Sequence, residues 1–215
     1  LTENGGAGNT NVDYSTLETI IDAYQARNGA VAFTPDAGDT IVIDDADEVT
    51  AYVSDITNGR LVLADQAVTV DSSVNLSVTD ARKIANDTSG TVTATIASGT
   101  RVSDLTTLYN PGGGNETNAW TITVNSDDAA NQVTAAELNT LNSATSVAVN
   151  VNAVTELKAS DLTDLTTFHS NRADFSNTGN IATINLTDNG GAGTSVDYST
   201  PVSYTHLTLP TKKRG

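Results

Sequence analysis

One short pattern recurs along the chain and limits its fold more than any other feature. It is a small or apolar residue, two mostly polar residues, an apolar anchor, two more residues and a second apolar one. It reads YSTLETI from Tyr14, ADEVTAY from Ala46, VTDARKI from Val78, VSDLTTL from Val102, AAELNTL from Ala135 and ASDLTDL from Ala159. The anchors are Leu17, Val49, Ala81, Leu105, Leu138 and Leu162. Their spacing alternates irregularly between a shorter and a longer step, inside the range of about 20 to 50 residues that marks solenoids and arrays.

Each copy has the chemistry of a helix start. Ser15-x-x-Glu18 and Thr134-x-x-Glu137 fit a capping box, in which side chains satisfy amide donors of the first turn. Leu17, Ile20, Ile21 and Tyr24 share one face at helical spacing, and Asn28-Gly29 supplies a stop. The other helices read as one to three turns, such as Leu162, Leu165 and Phe168. An alternating, β-branched run follows each anchor: AVAF from Ala30, RLVL from Arg60, TVTATI from Thr91, AWTITV from Ala119, SVAVNV from Ser146 and NIATINL from Asn180. Further short strands are predicted at Thr40–Ile43 and Val68–Leu76.

One helix turn and one or two strands per unit, always in the same order, predict a β/α solenoid with parallel strands and units of roughly 24–33 residues. A single unit cannot bury its apolar face, so neighbours must stack. Tandem β-sandwich modules are the alternative, and the capped helix turns count against them. Aromatic residues make up 5% of the chain, with Trp120 the lone tryptophan, so the core is thin and aliphatic.

The array spans residues 1–200, and a longer period is superimposed on it. LTENGGAGNTNVDYST at residues 1–16 returns as LTDNGGAGTSVDYST at 186–200, one residue shorter. The match ends at Thr200. The segment after it, PVSYTHLTLPTK, resembles the in-frame translation of a sequencing-library adapter, so residues 201–215 are expected to be an artefactual, disordered tail. There is no methionine and the chain opens in mid-motif, so it reads as a piece of a longer protein.

The charge excludes some partners. With 26 acidic and 10 basic residues the net charge is −16; without Lys212, Lys213 and Arg214 of the tail it is −19. Such a surface repels nucleic acid and anionic membranes. No apolar run is long enough to span a bilayer, and no signal peptide is present. The absence of cysteine removes disulfides, thiol nucleophiles and thiolate metal sites.

Catalytic constellations are missing too, and the chain reads as non-enzymatic. His169 is the single histidine before residue 201 and stands at a helix end, where a favourable C-terminal charge accounts for it. The glycine clusters at Gly5–Gly8, Gly112–Gly114 and Gly190–Gly193 lack the Gly-Lys-Ser/Thr of a phosphate loop and read as turns. Paired glycosidase carboxylates would need a cleft with stacking aromatics, which are scarce.

Calcium is the one cofactor with candidates. Asp36, Asp39, Asp44, Asp45, Asp47 and Glu48 place six carboxylates in one short segment, and Asp127-Asp128 adds a pair. GGAGNTNVD and GGAGTSVD approach the β-roll nonapeptide but carry Asn9 or Thr194 where it needs aspartate. The competing reading is a solvated acidic surface. Thr91-x-Thr93-x-Thr95 and Thr121-x-Thr123 form hydroxyl–methyl rows, as on ice-binding solenoids, but SVAVNV and NIATINL break the register, and β-propensity explains them.

VTVDSSVNLSVTDARKIANDTSGTVTATIASGTRVSDLTTL, AWTITV, VTAAELNTLNSATSVAVNVNAV and LKASDLTDLTTF together resemble the repeats of giant acidic, Thr- and Asp-rich surface and secreted proteins of marine cyanobacteria and other bacteria. The resemblance covers nearly all of residues 1–200. It implies a structural or adhesive role outside the cell or at its surface. Neighbouring repeats of the same chain are then the first partners, with surface polysaccharide or other cells beyond them. A calcium- or polysaccharide-binding module on the same scaffold is the first rival, and a carbohydrate-active solenoid enzyme the second.

Overall fold

The computed structural model describes residues 11–109, 118–125 and 133–186. The described residues form a mixed α/β fold with six α-helices and a mostly parallel sheet of several strands. Residues 187–200 of the long repeat, the tail, the glycine clusters and Asp127-Asp128 lie outside the described residues.

Five of the six predicted motifs open on the first residue of a helix: α1 (Tyr14–Asn28), α2 (Ala46–Thr57), α3 (Val78–Asp87), α4 (Val102–Leu105) and α5 (Ala135–Ala144). Their anchors, three positions in, are all buried. The sixth motif is displaced. Helix α6 runs Leu162–Ser170, so Leu162 is its first residue and is 73% exposed, not an anchor. The pattern fits LTDLTTF from Leu162 as well as ASDLTDL from Ala159; the chain uses the later register, anchored at Leu165.

Capping explains where the helices start. Asp45, Ser77, Thr134 and Asp161 each accept the amide of the residue three positions on. Thr134 and Glu137 form the predicted reciprocal box, with the Thr134 amide donating to Glu137 Oε2 at 2.8 Å. The predicted Ser15–Glu18 box does not form. Asp13 is the cap: its Oδ1 accepts the Thr16 amide at 3.1 Å and the Ser15 hydroxyl at 2.5 Å, so a carboxylate two positions earlier takes the role. Helix α4 has no side-chain cap and gives way after one turn to a 3-10 turn, Thr106–Leu108. Gly29 ends α1 at φ +76°, a conformation that favours glycine.

The strands are β1 (Asn11–Asp13), β2 (Thr40–Ile43), β3 (Ala67–Val70), β4 (Asn75–Leu76), β5 (Val92–Ile96) and β6 (Ala119–Thr121) in the large sheet. Then follow β7 (Val149–Asn150), β8 (Glu156–Ser160), β9 (Phe175–Ser176) and β10 (Thr183–Leu186) in two two-stranded sheets. Every named pair is parallel, which an antiparallel sandwich would not give.

Register links Val12 to Ile41, Ile41 to Val68, Val68 to Val92, and Ala94 to Trp120. Thr123 then bridges Asn150, and Val149 pairs with Phe175. A second line joins Phe33 to Leu61, and Leu157 to Ile184. Each of these pairs spans a similar length of chain. Leu76 and Ile96 are closer in sequence than the rest, because the turn Asp71–Val74 interrupts the strand between β3 and β4. The runs at Ala30 and Arg60 supply only the Phe33–Leu61 bridge, whereas β1, β8 and β9 fall outside the predicted strands.

Helices pack in the same order as the strands: α1 on α2, α2 on α3, α3 on the 3-10 turn, that turn on α5, and α5 on α6. One continuous aliphatic core lies beneath them, from Tyr14 to Phe175, with Trp120 and Leu138 among its fully buried members.

A recurrent clip ties units together where helices end. The Thr88 hydroxyl donates to the Gln66 carbonyl at 2.6 Å and accepts the Gly90 amide at 2.9 Å. Thr145 repeats this, donating to the Trp120 carbonyl at 2.8 Å and accepting the Val147 amide at 3.1 Å. The next residues, Ser89 and Ser146, donate both amide and hydroxyl to the carbonyls of Ala64 and Asn118. Buried polar groups are thereby satisfied between successive units.

Candidate functional site

The acidic segment is used locally. Asp45 caps α2, and Glu48 Oε2 accepts the Asp44 amide at 2.7 Å. Asp47 lies exposed in the first turn, where the helix dipole favours a carboxylate. Asp36 is exposed and presents its backbone carbonyl to the Gln66 amide; Asp39 is buried at the entrance to β2. Among the described residues no group of three or more Asp, Glu or His side chains converges as a metal-binding set. His169 is exposed in the last turn of α6. Thr69 pairs with Thr93 and Thr95 with Thr121, but the rows stop at Ala119 and Asn150.

The densest polar constellation joins α1, α2 and the segment leading to β3. Asp55, 1% exposed on α2, accepts the buried Tyr14 hydroxyl at 2.9 Å and Arg60 Nη1 at 2.7 Å. Arg60 extends to Gln25 Oε1 at 2.9 Å and pairs with Asp22, both on α1. Burial, then the bond to Asp55, pushes the Tyr14 hydroxyl far above the ordinary phenol range. Its proton is therefore locked in place, and the cluster acts as a tie between two helices. The sequence held a signal for it: Asp55 falls on the same stripe of α2 as Val49 and Tyr52, where a carboxylate needs a partner.

Beside it, a cleft of about 270 Å³ opens between α2 and α3. Ile56 and Thr57 form one wall, and Lys83, Asn86 and Asp87 the other. Behind Asp87 stands Tyr52, fully buried, its ring edge-on to Tyr14 with centroids 5.3 Å apart. Desolvation pushes the Asp87 carboxyl up to about 6, while the neighbouring Tyr52 hydroxyl acts in the other direction. Burial, then the Asp87 charge, raises the Tyr52 hydroxyl well above its usual range.

No helix among the described residues is long and apolar enough to cross a membrane. Compared with protein-family models, with curated proteins and with solved structures, the chain finds no match.

Proposed function

We propose that the chain is a non-enzymatic structural segment, a spacer or adhesive stalk, of a very large secreted or cell-surface protein, built as a β/α solenoid. The observation that carries this reading is the register. Successive parallel partners each lie about one unit further along the chain, and the helices pack in the same succession. A molecule in which each unit touches mainly its neighbours can be lengthened without redesigning its core.

Three further features support it. The polar clusters bind helix to helix or unit to unit, as the Tyr14–Asp55–Arg60 tie and the Thr88 and Thr145 clips do. The recurrence of residues 1–16 at 186–200 offers a restart of the same unit series. A net charge of −16 keeps a long array soluble and separates it from nucleic acid and anionic lipid. Long-read sequencing of the parent locus tests the reading. Further copies at the period of the 1–16/186–200 repeat support it, and a short, single-copy reading frame overturns it.

A further inference from the structure

Each of the six helices opens on the first residue of the recurring motif, with α6 in the register that begins at Leu162. That opening residue is buried at Tyr14, Val102 and Ala135, half-buried at Val78 and exposed at the small Ala46. For two of them the contact comes from the following unit. Tyr14 lies edge-on to Tyr52 at 5.3 Å and donates to Asp55 at 2.9 Å, both on α2. The Ala135 amide donates to Ser160 Oγ of β8 at 2.9 Å. Leu162 holds the same position in α6 and is 73% exposed.

Leu162 also faces away from the unit before it. On the α5 side of α6, Asp164 presents its carbonyl to Asn139 Nδ2 at 2.9 Å. Leu162, two positions earlier, stands about 200° round the helix from it. Among the described residues α6 packs on α5 and on the 3-10 turn Arg172–Asp174. The line of strands is open at this end too: β9 pairs with β7 alone, as β1 at the other end pairs with β2 alone. The amides and carbonyls of such edges are a template for a further strand.

The sequence names an occupant. About one unit after α6, Ser195-Val196-Asp197-Tyr198 returns Asn11-Val12-Asp13-Tyr14, which form β1 and open α1. Within the motif, Ile20 and Ala23 of α1 hold the positions of Tyr52 and Asp55 in α2, the pair that covers the opening residue of the helix before. Ile20 is half-buried and Ala23 exposed, so an apolar pair stands ready for an apolar opening residue. Although the chain carries a net charge of −16, neither Ile20 and Ala23 nor Leu162 and Thr166 bring a carboxylate to the contact.

We propose that the far flank of α6 is the seat for α1 of the next copy of the long repeat. Leu162 packs on Ile20 and Ala23 of that copy, and its β1 extends the strand line beyond β9. The inference rests on the tandem-copy reading above, and a second molecule of this chain offers the same α1. The two patches differ, so the contact runs head to tail and propagates instead of closing on itself.

The full chain has no cysteine, so Ala23→Cys and Leu162→Cys each introduce a single thiol at an exposed position. Mild oxidation of their mixture should give several-fold more mixed dimer than either variant gives alone. Leu162→Cys mixed with Thr50→Cys, exposed on α2 inside the array, should show no such excess. In sedimentation velocity the average mass of wild type should climb with concentration, while Leu162→Asp stays monomeric. Absent or equal cross-linking in the two mixtures, or the same mass profile for wild type and Leu162→Asp, overturns the seat. A single-copy locus with the cross-link present removes the tandem reading alone; a many-copy locus without the cross-link removes the seat alone.

Discussion

A Cβ on Gly90 would stand 2.4 Å from the carbonyl oxygen of Gln66 and 2.6 Å from that of Asp65. Both atoms are backbone, so neither can swing aside, and the absence of a side chain lets one unit lie against the one before. Gly90→Ala should cost about 2 kcal/mol in urea unfolding. Gly99→Ala, at φ +81° with open space around it, should cost about 1 kcal/mol from backbone strain alone. Equal effects would show that the close approach carries no weight. The Asp55 cluster offers a second test at this scale. Asp55→Asn removes the charge that Arg60 faces, and should cost about 2 kcal/mol, below the fully buried range because Arg60 keeps 30% of its side-chain surface in water. A cycle with Arg60→Met should return a coupling of about 1 kcal/mol or more; independence of the two sites would deny the tie. Neither feature was named from the sequence. The Gly90 contact depends on backbone of the preceding unit, and the partners of Asp55 lie beyond its own helix.

Among the elements, helix starts were the most legible, because capping is local: a side chain and an amide three positions on suffice. Thr134 and Glu137 behave as read, whereas at α1 the sequence reading placed the cap at Ser15 and the chain uses Asp13. Asp13→Ala should therefore cost about 1 kcal/mol, and Ser15→Ala less than half of that, by thermal unfolding. The reverse order would reinstate the Ser15 box. The same logic separates Leu162 from Leu165. Leu165 packs against the core, so Leu165→Ala should cost about 1 to 2 kcal/mol, while Leu162→Ala, on a side chain 73% exposed, stays within about 0.5 kcal/mol. Strands were less legible. Strand β8 alternates Glu156 and Lys158 around the buried Leu157, and its end overlaps a plausible helix motif, so local pattern favoured the wrong element. The carboxylates of 36–48 are calcium candidates by count alone; cap geometry in α2 accounts for Asp45 and Glu48, which such a count cannot separate from a metal site.

For the described residues as a whole, the spacing of the recurring sequence motif agrees with the order of the helices, and the named strand pairs are all parallel, as one helix followed by one strand in a constant sense would give. Spacing alone did not reveal how the strands divide into lines, since that depends on the turn Asp71–Val74 and on side-chain clips far apart in sequence. The acidity constrains partners without shaping the fold. The central claim is that units stack one behind another, each strand one step further along. The chain has no cysteine, so paired spin labels can be placed cleanly at Asn11→Cys with Thr93→Cys, Thr121→Cys or Ser176→Cys. At about 4.8 Å per strand step and about 3.3 Å per residue along a strand, three, four and six steps with register offsets of two, four and six residues predict backbone separations of about 16, 23 and 35 Å. Distances that climb in that order support the stack; an Asn11–Ser176 distance equal to or shorter than Asn11–Thr93 would contradict it.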